Sequence, residues 1–327
     1  MKSRLHDPLA LPSDRISIPE AAEIHKGRRE LYMDPYCNML IQDLSSGIVP
    51  LLRAGNKHLT CKLVPSDERF EHELINVLPT EDGSRYNLSE AFADSVQYVG
   101  KHIAYNGQCI LEIVKSEDSD FRIHFESRWK FEDIMPHKAL ILPRWIIQLH
   151  PHENKEFPTQ LIVAIPKRKC AIFQIPRRFG GPRGYIRLLR KLAISNPIKG
   201  SSQLIPFSPE ATASHYDFIT HHHMVEKASW KLTRPLAWHF RSYLGTTDIC
   251  NEYYIKRRML QFRRTQLIIR DSIIDKLKKT ISAIGRSYGL DVRLEVEVPC
   301  TVSEIERVLQ QWQRGEIGFD QLNSYLQ

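Results

Sequence analysis

Cysteine is sparse in this chain and never patterned. The six cysteines, Cys37, Cys61, Cys109, Cys170, Cys250 and Cys300, each stand at least 24 residues from the next. No CxxC pair or zinc-ligand spacing occurs, and the density is too low for a disulfide framework. Small buried thiols in a reducing cytoplasm are the expectation. Glycine is scarce too, at 15 of 327 residues. The phosphate-cradling GxxxxGK[ST] and GxGxxG loops and the GxSxG nucleophile turn are all missing. Long apolar runs are likewise absent: Leu161 to Ile165 is far short of the roughly 20 residues a bilayer crossing requires. The opening MKSRLHDPLALPSDR lacks the continuous apolar segment of a secretory signal. Neither membrane insertion nor secretion is expected.

Acid is missing from one long stretch. Between Phe157 and Pro209 there is no Asp or Glu, yet Lys167, Arg168, Lys169, Arg177, Arg178, Arg183, Arg187, Arg190, Lys191 and Lys199 lie within it. A second basic block, Lys256-Arg257-Arg258 with Arg263-Arg264, precedes Arg270, Lys276, Lys278 and Lys279. Blocks of one sign repel themselves unless a partner supplies the opposite charge, and polyanions are the usual partner. Acid returns in the N-terminal half at Glu71, Glu73, Glu81, Asp82, Glu117, Asp118 and Asp120, so the chain is electrically polarised. Overall, 46 Lys+Arg against 38 Asp+Glu leave a net charge of +8. An apolar content of 42% is enough to offset ordering entropy, which excludes disorder across the whole chain. The length suits two domains, or one elaborate domain with an extension.

The pattern predicts an α+β fold. Residues 1–33 form a polar N-terminal arm, and a helix follows from Asp34 to Arg53. A strand spans His58 to Val64, a helix Phe70 to Leu78, and another runs through Tyr98 with Ser89 as its cap. Strands are expected at Gln108–Val114, Phe121–Phe125, Ala139–Leu142, Trp145–Leu149, Leu161–Ile165 and Ala171–Ile175, giving helices beside an antiparallel sheet. After Gly180-Gly181-Pro182 the chain turns helical: Arg183–Ala193, Ser208–Lys231 and Leu236–Tyr243. The longest element spans Asp248 to Tyr288, with an apolar stripe at Ile255, Met259, Phe262, Ile269, Ile273, Leu277, Ile281 and Ile284 that faces the core or another subunit. A strand at Val292–Val298 and helices at Ser303–Gln313, capped by Thr301, and Phe319–Leu326 complete the chain.

Catalytic patterns are hard to find. His221-His222-His223 point about 100° apart on a helix and cannot jointly grip one metal, and His215 lies nearly two turns away. Glu117-Asp118-Ser119-Asp120 could be imagined as a two-metal nuclease site but reads better as a hairpin turn. No catalytic residue, metal ligand or cofactor is assigned.

The order of elements resembles that of tailed-bacteriophage portal proteins. Asp34-Pro35-Tyr36 and the helix through Ile48 are similar to the start of the portal wing. Ala91 to Val114 (AFADSVQYVGKHIAYNGQCILEIV) is similar to the family's helix, polar-glycine turn and strand, with Asn106-Gly107 at the turn. Gly181-Pro182 and the helix through Leu192 resemble the element leading into the stem. Cys250-Asn251-Glu252-Tyr253-Tyr254 and the helix carrying Phe262, Gln266, Arg270, Ile274 and Leu277 resemble the long helix after the tunnel loop. Pro299 to Leu326 (PCTVSEIERVLQQWQRGEIGFDQLNSYL) resembles the C-terminal pair of short helices.

The resemblance covers roughly residues 34 to 326. It implies a wing-like domain at 34–180 and stem helices at 181–247, with a clip-like segment near 197–207 and a tunnel loop near 233–238. A long helix at 248–290 and a crown-like region at 291–327 follow. It also implies a homo-oligomeric ring, usually of twelve copies, at the capsid portal vertex of a virion, assembled in the host cytoplasm. Double-stranded DNA would pass through it without sequence preference. The implied partners are the terminase large subunit, the major capsid protein and the head-completion or tail adaptor proteins. Arg183, Arg187, Arg190, Lys191 and Lys199 are then the DNA-facing candidates. Ile255, Met259, Phe262, Ile269, Ile273 and Leu277 are the subunit-interface candidates. Two other classes stay open: a cytoplasmic basic nucleic-acid-binding protein, including a nuclease-like enzyme with dispersed site residues, and an interaction protein that binds no nucleic acid.

Overall fold

The computed structural model describes residues 34–49, 59–80, 87–115, 129–134, 139–150, 161–194, 226–240 and 249–326. Local caps set the first elements. Asp34 accepts from the backbone N–H groups of Tyr36 and Cys37 and starts α1 (Pro35–Ser46). After β1 (Thr60–Val64), Asp67 caps α2 (Glu68–Val77). Asn87, not Ser89, caps α3 (Leu88–Asn106) by accepting from the Glu90 N–H. Ser89 lies one residue inside the helix. Its hydroxyl accepts from Cys61 N–H at 2.9 Å and donates to Cys61 O at 3.2 Å, fastening α3 to β1. Gly107, at φ 72°, ends α3 in the left-handed conformation that a side chain would resist.

The strands are β2 (Gln108–Lys115), β3 (Trp129–Ile134), β4 (Ala139–Ile141), β5 (Trp145–His150), β6 (Leu161–Pro166) and β7 (Cys170–Gln174). Then come α4 (Gly181–Ile194), the long α5 (Ile249–Ser287), β8 (Arg293–Glu297), α6 (Val302–Gln313) and α7 (Phe319–Leu326). The fold is α+β, as expected. In place of one sheet, three small antiparallel sheets form among the described residues, ordered β1-β8, β3-β2-β7 and β4-β5-β6. The β3 strand was not expected, because its alternation fails at Asp133. That carboxylate is hydrogen-bonded by the Tyr98 hydroxyl of α3. The expected strand at Phe121–Phe125 lies outside the described residues.

One hydrophobic cluster gathers α1, α3, β2, β7, α4 and α5 and reaches Val292 and Leu294. The wing-like and long-helix segments thus share a core, and the β1–β8 pair ties the N-terminal part to the C-terminal part. From Phe262 onward the apolar stripe of α5 supplies this core. Ile255, Phe262, Ile269, Ile273 and Leu277 are between 0% and 5% exposed in the single chain, and only Met259 is half-buried. Five of the six subunit-interface candidates are thus buried within the single chain, and Met259 is not. A side chain already out of water within its own chain has no further apolar area to bury against a neighbour. A second cluster, built on Leu260, Val308, Trp312 and Leu322, packs α6 and α7 against the first half of α5.

Residues 226–232 are helical, but the helix expected at Leu236–Tyr243 does not form over the described residues 236–240. Ala237 and Phe240 have φ near 60°, outside the right-handed helical region. The tunnel-loop candidate Thr233–Trp238 is anchored along most of its length: Thr233, Leu236 and Trp238 are buried, leaving Arg234 and Pro235 exposed.

Candidate nucleic-acid interface

The described part of the acid-free stretch is residues 161–194. Strands β6 and β7 are joined by a tight turn, Lys167–Lys169, and a second turn, Arg177–Phe179, leads through Gly180 into α4. Helix α4 has two unlike faces. Tyr185, Ile186, Leu188, Leu189, Leu192 and Ala193 are buried, while Arg183, Arg187, Arg190 and Lys191 are exposed. Two hydrogen bonds fix the buried face. The Tyr185 hydroxyl donates to Ala104 O of α3 at 2.7 Å, and the Cys37 thiol of α1 donates to Leu189 O at 3.2 Å. Rotation of the cationic face toward the core is thereby prevented.

That face costs the isolated chain energy. Arg183 and Arg187, Arg187 and Arg190, and Arg187 and Lys191 are helix neighbours at steps of three or four, where like charges destabilise by about 0.2–0.5 kcal/mol per pair. The first turn carries no acid, and Arg183 sits there against the positive end of the helix dipole. Arg177 and Arg178 are exposed just before it, with the Arg178 guanidinium lying 5.3 Å from the ring centroid of the buried Phe179. None of these cations makes an ion pair with a described residue. An anion placed along α4 would relieve every one of these repulsions. Lys199 and the clip-like segment 197–207 lie outside the described residues.

The second basic block is used differently. Arg258 on α5 donates to Trp238 O at 2.6 Å, Trp230 O at 2.8 Å and Thr233 Oγ1 at 3.2 Å, with its guanidinium over the Trp230 ring at 4.6 Å. Burial pushes its pKa down to about 10. Arg263 reaches Gly47 O at the end of α1, and burial lowers its pKa as well. Arg264 grips Glu306 of α6, and Lys256 donates to Asn323 of α7. Arg270 is 1% exposed and donates to Asp271 and to Cys300 O. The block read from sequence as polyanion-binding is thus largely consumed in fastening α1, residues 230–238 and the C-terminal helices to α5.

Burial pushes the Cys61 and Cys170 thiols up to about 12 and Cys109 well above its usual value, so these thiols are protonated at neutral pH. Among the described residues no group of three or more His, Cys, Asp or Glu side chains could hold a metal ion. His215, His221–His223 and Glu117–Asp120 lie outside them. One titratable pair was missed at the sequence level: Glu112 of β2 lies directly across from Glu132 of β3. No sequence signal joined them, since β3 itself went unread. No helix among the described residues is long and apolar enough to cross a membrane. No protein-family model matches the chain, and no curated protein matches it.

Proposed function

We propose that this chain is a portal-type subunit. Copies close into a ring at the packaging vertex of a phage capsid, and double-stranded DNA passes through without sequence readout. The observation that carries the reading is the one-sided α4, whose four exposed cations lack described acidic partners and stand on a rigidly packed helix. A channel for DNA needs this kind of surface, because phosphate contacts position a duplex without reading it. The order of elements supports the same reading. Helices and antiparallel strands precede α4, and the long α5 leads to a strand, a threonine-capped helix and a second short helix. The terminase large subunit would supply the ATP hydrolysis and DNA cutting. The major capsid protein and head-completion or tail adaptor proteins would hold the ring in the virion.

With most of the α5 stripe buried within the chain, a contact between copies needs other apolar surface. The large apolar side chains still exposed among the described residues are Val64, Leu140, Trp145 and Tyr254. Leu140 and Trp145 lie on the β4–β5 hairpin and are the first candidates for a subunit contact.

The test pairs sedimentation with packaging. The wild-type protein should form a closed particle many times the 38.1 kDa of one chain. The doubly reversed variant Arg187→Glu/Arg190→Glu should form the same particle yet package or retain less DNA. Unchanged packaging would remove α4 from the channel. A monomer or dimer that still binds DNA would replace the portal reading with that of a nucleic-acid-binding protein.

A further inference from the structure

Away from α4, a cleft of about 300 Å³ opens where the two three-stranded sheets meet the long helix. Its lining comes from three places in the chain: Ile141 on β4, Lys167, Cys170, Ile172 and Gln174 in the segment from the basic turn through β7, and Lys276 on α5. Alternate residues of β7 point to the same face, so Cys170, Ile172 and Gln174 form one wall. The packing of β7 against α5 brings Lys276 to the opposite side. Ile141, Cys170 and Ile172 are the apolar members of the lining. The cationic groups are Lys167 and Lys276, both half-buried, and neither is ion-paired with a described residue. No Asp or Glu among the described residues lines the cleft. The Gln174 amide donates one proton to Gln108 Oε1 at 3.1 Å and has a second to give.

The structure assigns to this cleft, in our reading, a binding site for a small organic anion: an apolar body with a carboxylate or phosphate head. Two lysines from elements far apart in sequence line one concavity, which a solvated surface does not require. Ammonium groups recognise either head as point charges, so the charge is selected more strongly than its geometry. Ile141, Cys170 and Ile172 select for the apolar body, since a fully hydrated inorganic ion gains nothing from them. The size limits the occupant to a small molecule, at the lower end of ordinary ligand cavities. The site is separate from the α4 face, and its occupancy does not depend on the DNA reading.

The test uses benzoate and phenyl phosphate as probes, with inorganic phosphate and benzyl alcohol as the head-only and body-only controls. Ligand-detected NMR suits a large assembly and gives the affinities. Saturable binding of benzoate or phenyl phosphate, with both controls at least about tenfold weaker, is the expected result. The Lys167→Gln/Lys276→Gln variant should weaken the favoured probe by about tenfold or more. Lys278→Gln/Lys279→Gln, with the same net charge change on the same helix, should bind as wild type. Inorganic phosphate binding as well as phenyl phosphate would overturn the proposal. So would non-saturable binding of both probes, or equal losses in the two lysine variants.

Discussion

Glu112 shows how a single residue can make stability depend on pH. It is 8% exposed and lies across from Glu132 on β3 and from Cys170 on β7. Lys130 pairs with Glu132 at 2.6 Å. Burial first, and then the Glu132 charge, raise the Glu112 pKa to about 7, with Lys169 opposing. A carboxyl whose folded pKa is raised holds its proton more tightly in the folded state. It therefore costs nothing below the ordinary carboxylate range, and its penalty grows as pH rises toward 7 and is complete above that. A rise from the ordinary 4.5 to about 7 corresponds to roughly 3 kcal/mol, at 1.36 kcal/mol per pH unit. Glu112→Gln should therefore raise unfolding stability over wild type by about 3 kcal/mol at pH 8 and leave it nearly unchanged at pH 4.5. Urea titrations at both pH values read this directly. A gain of equal size at both would show that the carboxyl is not the cause.

Among the elements, α5 holds the molecule together, and two substitutions test that claim. Ile273 is 1% exposed within the main cluster. Ile273→Asp would bury an unpaired charge and lose apolar contact, costing about 3 kcal/mol or more. The single chain itself should be destabilised, seen as a lower urea midpoint; folded subunits that merely fail to assemble would restore the stripe to an interface. Arg258→Lys should cost on the order of 2 kcal/mol, because one ammonium cannot span acceptors on Trp230, Thr233 and Trp238. The Trp238 indole, bonded to Asp43 at 2.8 Å, should report the loosening by its fluorescence. A stability within 0.5 kcal/mol of wild type would contradict the clamp.

The same helix marks what the sequence could disclose. Its extent was legible, Asp248–Tyr288 against Ile249–Ser287, because a period of three and four is a local property. The Thr301–Glu304 capping box was legible for the same reason. Periodicity says that one face is apolar but not which chain covers it, so the stripe was open to both readings. Nor does it say where a cation goes: Arg183 and Arg187 stay in water, whereas Arg263 and Arg270 are drawn into the fold by carbonyls at Gly47 and Cys300. Those acceptors come from distant parts of the chain. The α4 face was readable because its own segment contains no acid to neutralise it, a fact of sequence alone.

For the whole molecule, that division of charge sets the kind of DNA binding to expect. The exposed cations from Arg168 to Lys191 form a run that can meet phosphates, while most of the α5 cations are tied to carbonyls and carboxylates. Binding to duplex DNA should be indifferent to sequence and fall steeply with salt, because each phosphate contact releases a counterion. Removing two contacts with Arg187→Ala/Arg190→Ala should reduce the slope of log K against log salt by about 2, while Lys278→Ala/Lys279→Ala, on α5, should change it less. Sequence-dependent affinity, or equal slopes for both variants, would count against phosphate contact through α4. Under the proposed portal reading the subunit performs no chemistry on the DNA, so purified protein should show neither ATPase activity nor magnesium- or manganese-dependent nuclease activity. A metal-dependent cleavage that persists through purification and disappears on changing Asp118 or Asp120 would replace the channel with a nuclease. The basic face of α4 would then serve to hold the substrate of that reaction.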